Sequence, residues 1–298
     1  MSKTGFIGLG NMGSGMAHNL VDKGVKLNIF TRSRSKMDPF IEKGAYGHEN
    51  VKSLVEDSGI ILACLPDIKT SVEVFLGKNG ILSAAKPGTI IVDHSTVDVE
   101  TSKLIWEKSL DKNVYFIDAP ISGGPIGAKE GTLTIMCGGD SIAFEKAKVI
   151  FDKMGTNVVH MGGPGTGTSM KIVNQLLTSV NTVAAMEAAI LAEKSGIDLN
   201  SAAEILSKSF GSSRMVERNM PIYMKKKFEN SSAPVRNIIK DLKIISDMSD
   251  QLHLELPLTN LSLELFEETN KLEINEPDIA SVALHINKIS KKQRGLNE

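Results

Sequence analysis

One short stretch constrains the fold most: Gly162-Gly163-Pro164-Gly165-Thr166-Gly167. Four glycines and a proline in six residues are foreign to the interior of a helix or a strand. Before it, short apolar runs alternate with helical patterns. After it, no convincing strand pattern remains. The chain is therefore expected to divide into a β/α domain, residues 1–163, and an all-helical domain, residues 164–298. The second opens with the longest helical pattern in the chain, Met170 to Ser195, which lacks proline and glycine and is closed by Gly196. At about 1.5 Å per residue it makes a rod of about 39 Å.

Most of this rod is apolar on every side, through Ile172, Val173, Leu176, Leu177, Val180, Val183 and Ile190. That pattern predicts a helix buried all round. Lys171, Asn174, Gln175 and Thr178, followed by Asn181 or Thr182, nevertheless fall on one polar stripe. A lysine in the first turn of such a helix either snorkels to water from the helix end or serves a polar site. The stripe behind Lys171 keeps the second reading open.

The first half carries a phosphate-binding pattern. A short strand, Thr4 to Gly8, runs into Gly8-Leu9-Gly10-Asn11-Met12-Gly13 and then a helix from Ser14 to Lys23. This is G-x-G-x-x-G between a strand and a helix, as a dinucleotide site requires. The first glycine permits the turn, the second lets backbone approach the pyrophosphate, and the third lets the helix pack closely. The second strand, Lys26 to Phe30, ends at Thr31-Arg32-Ser33-Arg34-Ser35-Lys36. An NAD site would place an acidic residue there for the ribose hydroxyl; arginines suit a 2′-phosphate, so the stretch reads as an NADP site.

Further buried strands are expected at Ile60 to Leu65, Thr89 to Asp93, Val114 to Asp118, Leu133 to Cys137 and Asn157 to Met161. Helices are expected at Val99 to Leu110 and Ile142 to Met154. This β-α alternation predicts an α/β fold, a Rossmann-type doubly wound, mostly parallel sheet. Asp118-Ala119-Pro120-Ile121-Ser122-Gly123-Gly124 follows one strand end, where ligands bind in such sheets. A serine hydroxyl before two glycine N–H groups can form an anion-binding concavity, but taken alone the stretch reads as a plain loop. In the second half, helices are readable near Ala202 to Ser209, Asn237 to Gln251, Leu258 to Leu272 and Ile279 to Lys291, with fraying expected at the C-terminus.

Composition removes other classes. With 34 basic and 35 acidic residues, net charge is −1, which favours neither nucleic acid nor an anionic membrane. No long apolar run lacks polar interruption, and no signal-peptide pattern opens the chain. Cys64 and Cys137, in apolar runs, read as buried reduced thiols of a cytoplasmic protein. No histidine, cysteine and carboxylate cluster has metal-ligand spacing, so no metal is expected.

Together these motifs resemble the β-hydroxyacid dehydrogenase family, which includes 3-hydroxyisobutyrate dehydrogenase, tartronate semialdehyde reductase and glyoxylate/succinic semialdehyde reductase. Four segments match in order: Gly8 to Gly13 with Met16-Ala17 and Asn19-Leu20; Asp118 to Gly124; Gly162 to Asn174 around Lys171; and Lys240-Asp241-Leu242. The resemblance covers essentially the whole chain. It implies a Rossmann domain, a helical domain and an active site between them. It implies Lys171 as the catalytic acid/base. Ser122, Gly123 and Gly124 would hold the substrate carboxylate, with Asn174 positioning the substrate. Leu65, Pro66 and Thr96 would lie along the nicotinamide half of the cofactor. Lys240 would approach the cofactor and Asp241 the substrate. One departure concerns the substrate side chain: many relatives carry an aromatic about eight residues before Asp241, where this chain has Ala233, near Pro234 and Arg236.

The activity so implied is NADP(H)-dependent hydride transfer between a small β- or γ-hydroxy acid and its semialdehyde. Lys171 would protonate the developing alkoxide, and in oxidation it would take the hydroxyl proton as a neutral amine. Free lysine titrates near 10.4, so oxidation asks the site to favour the neutral form, as desolvation and an oxidised nicotinamide both do. A serine hydrolase is disfavoured, because Ser122 has no histidine and acid in recognisable relation. Three alternatives stand beside it: an NADPH-dependent imine reductase-like enzyme, a short relative of 6-phosphogluconate dehydrogenase, and a non-enzymatic NADP-binding sensor or scaffold. A homodimer or homotetramer is expected, because apolar faces such as Ile190-Leu191 and Leu261 to Phe266 exceed what one small helical domain can bury. The identity of the substrate is left open by the sequence.

Overall fold

The structure, a computed structural model, describes residues 3–293. By internal contacts the chain forms two compact units, Met1–Lys171 and Ile172–Glu298. The division falls inside one continuous helix.

The first unit begins with β1 (Thr4–Ile7), α1 (Asn11–Asp22) and β2 (Leu27–Phe30), then α2 (Asp38–Ile41), β3 (Tyr46–Gly47) and α3 (Val51–Glu56). It continues through β4 (Ile60–Ala63), α4 (Ile68–Leu76), α5 (Ile81–Ala84), β5 (Ile90–Asp93), α6 (Val99–Leu110) and β6 (Tyr115–Asp118). The last part holds β7 (Ile121–Ser122), α7 (Gly124–Glu130), β8 (Leu133–Gly139), α8 (Ser141–Phe151) and β9 (Gly155–Gly162). From there α9 (Thr166–Lys194) leads into the second unit.

All strands join one sheet in the order β3-β2-β1-β4-β5-β6-β8-β7, with β9 on β8. β3 to β6 run parallel, while β8 lies antiparallel to β6 and β7. The sheet is thus a mostly parallel Rossmann sheet with an antiparallel flank. Its central strands are apolar on both faces, as helices on both sides require, while β3 and β9 at its margins are largely exposed. Phe6, Leu62, Val92 and Ile117 face one core; their neighbours Ile7, Ile61, Ile91 and Phe116 face the other. Strand order reverses between β1 and β4, and ligands of such sheets bind at the carboxyl ends beside that point.

The second unit is helical. After α9 come α10 (Leu199–Lys208), α11 (Arg214–Lys225), α12 (Val235–Gln251), α13 (Pro257–Thr269) and α14 (Val282–Gln293). Val235, Ile238, Leu242 and Ile245 of α12 are buried at helical spacing, with Met220 and Tyr223 of α11, Phe266 of α13 and Val282 of α14. Fraying is expected from Lys291 to Glu298, but α14 continues to Gln293; residues 294–298 lie outside the described residues.

Three readings of the sequence are corrected. The long helix starts at Thr166 rather than Met170, so Gly167 sits in its first turn, where β-strand backbone approaches too closely for a side chain. The same helix is not buried on every side: Val173, Leu177 and Leu191 are exposed. By length and composition it is apolar enough to cross a membrane, a test that the core helix of a soluble protein also passes. Cys64 is half-buried rather than buried, while Cys137 is buried. Helix α11 has no counterpart among the sequence expectations, because Pro221 inside it reads as a helix breaker.

Candidate active site

The candidate cofactor residues line the carboxyl edge of the sheet at its switch point. Gly8 follows β1 with φ +97°, and a Cβ there would lie 2.3 Å from the Cys64 carbonyl oxygen. A Cβ on Gly13 would lie 2.0 Å from the Gly8 oxygen and 3.1 Å from the Phe6 ring. Gly10 differs: a Cβ there meets nothing within 4 Å, so open space lies over the turn. Asn11 and Met12 open α1, whose N-terminus has no side-chain cap and no acidic residue in its first turn. Thr31 is half-buried just beyond β2; Arg32 and Ser33 are exposed. Leu65 and Pro66 follow β4, and the Leu65 N–H donates at 2.9 Å to Ser95 Oγ, which with Thr96 lies in the turn beyond β5.

Ser122 ends the two-residue strand β7, paired with Thr134 of β8. Gly123 and Gly124 follow with φ of +133° and +64°, conformations that L side chains rarely adopt. Helix α7 begins there and is pressed against α1: a Cβ added to Gly15 would sit 2.8 Å from the Ala128 backbone. Asn19 Nδ2 of α1 donates to the carbonyls of Ala128 at 2.8 Å and Lys129 at 3.1 Å. The cofactor helix and the Ser122–Gly124 turn are therefore packed as one block.

Lys171 is buried, at 8% exposed, in the second turn of α9. The first turn is bonded to Asp118 at the end of β6: Gly165 N–H donates to Oδ1 at 2.8 Å and Thr168 N–H to Oδ2 at 2.7 Å. Burial holds the Asp118 carboxyl above its ordinary range, and these two N–H groups draw it part of the way back. Asp93, its partner in register on β5, is pushed up to about 6, chiefly by burial, against the opposing hydrogen bonds of Ser95. His94 beside it is driven down to about 4 by burial; its Nδ1–H donates to the Ala119 carbonyl at 2.7 Å.

In the second unit Asn174 Nδ2 donates to Gln175 Oε1 at 3.1 Å, and Gln175 Nε2 donates to Asp241 Oδ2. Lys240 Nζ stands 3.1 Å from Asp241 Oδ1. Asn174, Asp241 and Lys240 are thus brought together through Gln175, which the sequence placed on the polar stripe but not among the site residues. Asp118 and Asn19 likewise stand out in the sequence only as members of motifs. Their bonds run to backbone 47 to 110 residues away in sequence, which no local pattern reports. Ala233, near the expected substrate side chain, donates its N–H to Ser231 Oγ, and Ser231 in turn donates to Asp278.

Residues 3–163 match the family model described as the NAD binding domain of 6-phosphogluconate dehydrogenase. Residues 165–286 match the model described as NAD-binding of NADP-dependent 3-hydroxyisobutyrate dehydrogenase. The chain is 37% identical over 264 residues to 2-hydroxy-3-oxopropionate reductase of Escherichia coli, covering 89% of this chain and 90% of that one. It is 33% identical over 280 residues to 2-(hydroxymethyl)glutarate dehydrogenase of Eubacterium barkeri, covering 94% and 93%. The crystal structure of 3-hydroxyisobutyrate dehydrogenase from Salmonella typhimurium superposes with a TM-score of 0.86 at 26% identity, covering 96% of this chain and all of that one. The chain belongs to the β-hydroxyacid dehydrogenase family.

As a member of that family the protein is an NAD(P)-dependent oxidoreductase acting on hydroxy acids. The residues at the switch point of this dehydrogenase fit a dinucleotide. The gap over Gly10 admits a pyrophosphate, and the α1 N-terminus presents N–H groups with no side chain of its own to cap them. Gly8 to Gly13 and the end of β2 would hold it.

Proposed function

We propose that this dehydrogenase interconverts a small carboxylate-bearing semialdehyde and the corresponding β- or γ-hydroxy acid, using NADPH in preference to NADH, with Lys171 as general acid/base. The observation that carries the reading is the burial of Lys171 on a helix end bonded to the strand that runs on into Ser122, Gly123 and Gly124. A buried ammonium is stable where polar or negatively charged groups surround it, which is the setting a developing alkoxide would share.

When bound, the nicotinamide supplies or accepts the hydride. As the carbonyl oxygen gathers negative charge, Lys171 Nζ stabilises it and delivers a proton. In the oxidative direction Lys171 takes the hydroxyl proton. The Ser122 hydroxyl and the Gly123 and Gly124 N–H groups hold the substrate carboxylate, and that remote binding energy orients the reacting carbon. Asn174 and Asp241 position the substrate; Lys240 approaches the cofactor, as Leu65, Pro66 and Thr96 do along its nicotinamide half. Thr31, Arg32 and Ser33 receive the 2′-phosphate, with the guanidinium as the main donor. One anion and one carbonyl held together imply a short substrate, of the class of tartronate semialdehyde, methylmalonate semialdehyde and succinic semialdehyde, with glyoxylate, whose reduction gives an α-hydroxy acid, as the shortest aldehyde of the set. A symmetric oligomer is part of the proposal, supported by exposed Leu191 on α9 and Leu258 and Leu261 on α13.

Lys171→Ala tests the chemistry. It should lower kcat by roughly 10²- to 10⁴-fold while NADPH binding survives; a folded variant with normal turnover sinks the proposal. For the anion site, succinic semialdehyde is compared with butanal, which has the same chain length and no carboxylate. Butanal reduced equally well refutes the role given to Ser122–Gly124.

A further inference from the structure

Asp118 is the last residue of β6 and is 1% exposed. A helix leaves its first N–H groups without partners, and usually a side chain at its own start caps them. In α9 the cap comes from a distant strand: Asp118 receives the N–H of Gly165 on one oxygen and that of Thr168 on the other, at 2.8 and 2.7 Å. Two glycines make this approach feasible. A Cβ on Gly138, the register partner of Asp118 on β8, would lie 2.6 Å from Asp118 Oδ1 and 2.7 Å from the Gly167 nitrogen. A Cβ on Gly167 would lie 2.3 Å from the Met136 oxygen and 2.6 Å from the Asp118 oxygen. The helix end thus rests directly on strand backbone. A second tie joins Thr168 Oγ1 to Ser102 Oγ of α6 at 2.8 Å.

Both ends of this clamp lead to the proposed chemistry. Four residues after Asp118 stands Ser122, and three residues after Thr168, on the same face of the helix, stands Lys171. We propose that Asp118 is a positioning residue: its carboxylate locks the first turn of α9 to the end of β6 and so sets where Lys171 stands against the Ser122–Gly124 turn. The inference rests on the reading of Lys171 as general acid/base. Asp118 acts only through that lysine. A displacement of about 1 Å in such a group can cost on the order of 100-fold in rate.

The test is a pair of substitutions measured singly and together, Asp118→Asn and Lys171→Ala. The amide of Asp118→Asn keeps one acceptor and turns the other into a donor that faces an N–H. Readouts are kcat and KM for whichever of the four semialdehydes above is turned over fastest, and the NADPH dissociation constant. Asp118→Asn should lower kcat roughly 10- to 100-fold with NADPH affinity within about threefold of wild type. Added to Lys171→Ala, it should cause no further loss beyond about twofold, because the group it positions is gone. Asp118→Glu, which keeps both acceptors on a side chain one methylene longer, should fall between Asp118→Asn and wild type. Should Asp118→Asn accumulate unfolded, Asp118→Glu carries the same comparison in both backgrounds. A kcat within twofold of wild type in the folded variant overturns the proposal, as do losses that multiply in the double variant. Normal turnover by Lys171→Ala alone overturns the acid/base reading instead, which separates the two failures.

Discussion

The two units hold their polar positions by different means. In the first, backbone does the holding: Gly8 at φ +97°, Gly13 against the Gly8 oxygen, Gly123 and Gly124 at positive φ, and two N–H groups on Asp118. In the second, side chains hold side chains: Gln175 on Asp241, Asn219 on Thr182, and the Arg218 fork on Asp278 at 2.7 and 2.9 Å. Backbone at close quarters admits glycine and little else, so it marks the sequence. A polar pair inside a helical bundle can be built from many residues at many positions, and it leaves no fixed spacing.

The largest expected effect separates two glycines of one motif. Gly13→Ala drives a Cβ to 2.0 Å from backbone oxygen, so the turn must open. We expect loss of several kcal/mol of stability, in the range of strained core substitutions, together with loss of NADPH binding. Gly10→Ala meets no atom within 4 Å and has a negative φ of −78°, so thermal stability should hold. NADPH affinity should nevertheless fall at least tenfold, because the methyl takes the space over the turn. Thermal melts with and without NADPH read both effects. Unchanged affinity in Gly10→Ala would show that the gap is not where the pyrophosphate lies.

The matching break in the second unit is Arg218→Ala. Asp278 is buried, its side chain 5% exposed, and Arg218 is the cation that pairs with it. Burial alone would raise the Asp278 carboxyl; the Arg218 fork, the Ser231 hydroxyl and the Ala280 N–H outweigh it and hold the carboxyl below its ordinary 3.8. Removing the arginine leaves a buried charge, at a cost of about 3 kcal/mol. A lowered folded value contributes stability above 3.8 that is lost as pH falls through the folded value. The gap between wild type and variant in denaturant melts should therefore narrow below about pH 4. A gap that stays constant to low pH would show that packing of the arginine stem, not charge, was lost.

This contrast also explains what was legible in the sequence. The β-α alternation, the Gly8–Gly13 turn and α6 at Val99–Leu110 were readable, because periodicity and glycine spacing are local. The sequence pattern starts α9 at Met170, four residues after its actual start at Thr166. Glycines there read as a break, whereas Gly167 lies inside the first turn because the helix end is clamped to strands from afar. Helix α11 was missed for the converse reason: Pro221 obscured a face whose Val216, Asn219, Met220 and Tyr223 are buried together. Gln175, which links Asn174 to Asp241, could be placed on a stripe but not given a partner 66 residues away.

A smaller effect concerns cofactor choice, where neither backbone fit nor burial is at stake. Arg32 is exposed beyond β2, so replacing it should leave the fold intact. Arg32→Asp should weaken NADPH by roughly 1.5–3 kcal/mol, the worth of charged hydrogen bonds, and favour NADH in relative terms. The ratio of kcat/KM for the two cofactors measures this. Equal values in the unmodified enzyme would remove the basis for reading Thr31–Ser33 as a phosphate site.

The smallest effect in wild type is one that cancels, and it lies under the backbone-held edge. Asp93 rises from 3.8 to about 6 on folding, while His94 falls from 6.5 to about 4. An acid with a raised folded value favours folding at low pH and loses that contribution as pH rises through about 6. A base with a lowered folded value favours folding above 6.5 and loses that contribution as pH falls towards about 4. Near pH 5 the folded pair holds one proton on Asp93, and the unfolded pair holds one on His94. Equal proton counts mean no slope from this pair, so together they leave stability nearly flat between about pH 4.5 and 6. His94→Gln removes one side of the balance. Stability of that variant, relative to wild type, should then decline with rising pH across this window, with a limiting slope of about 1.4 kcal/mol per pH unit. Urea melts at pH 4.5, 5.2 and 6 are sufficient to see it. A parallel offset at all three values, with no change of slope, would mean that burial does not separate the two groups as their surroundings imply.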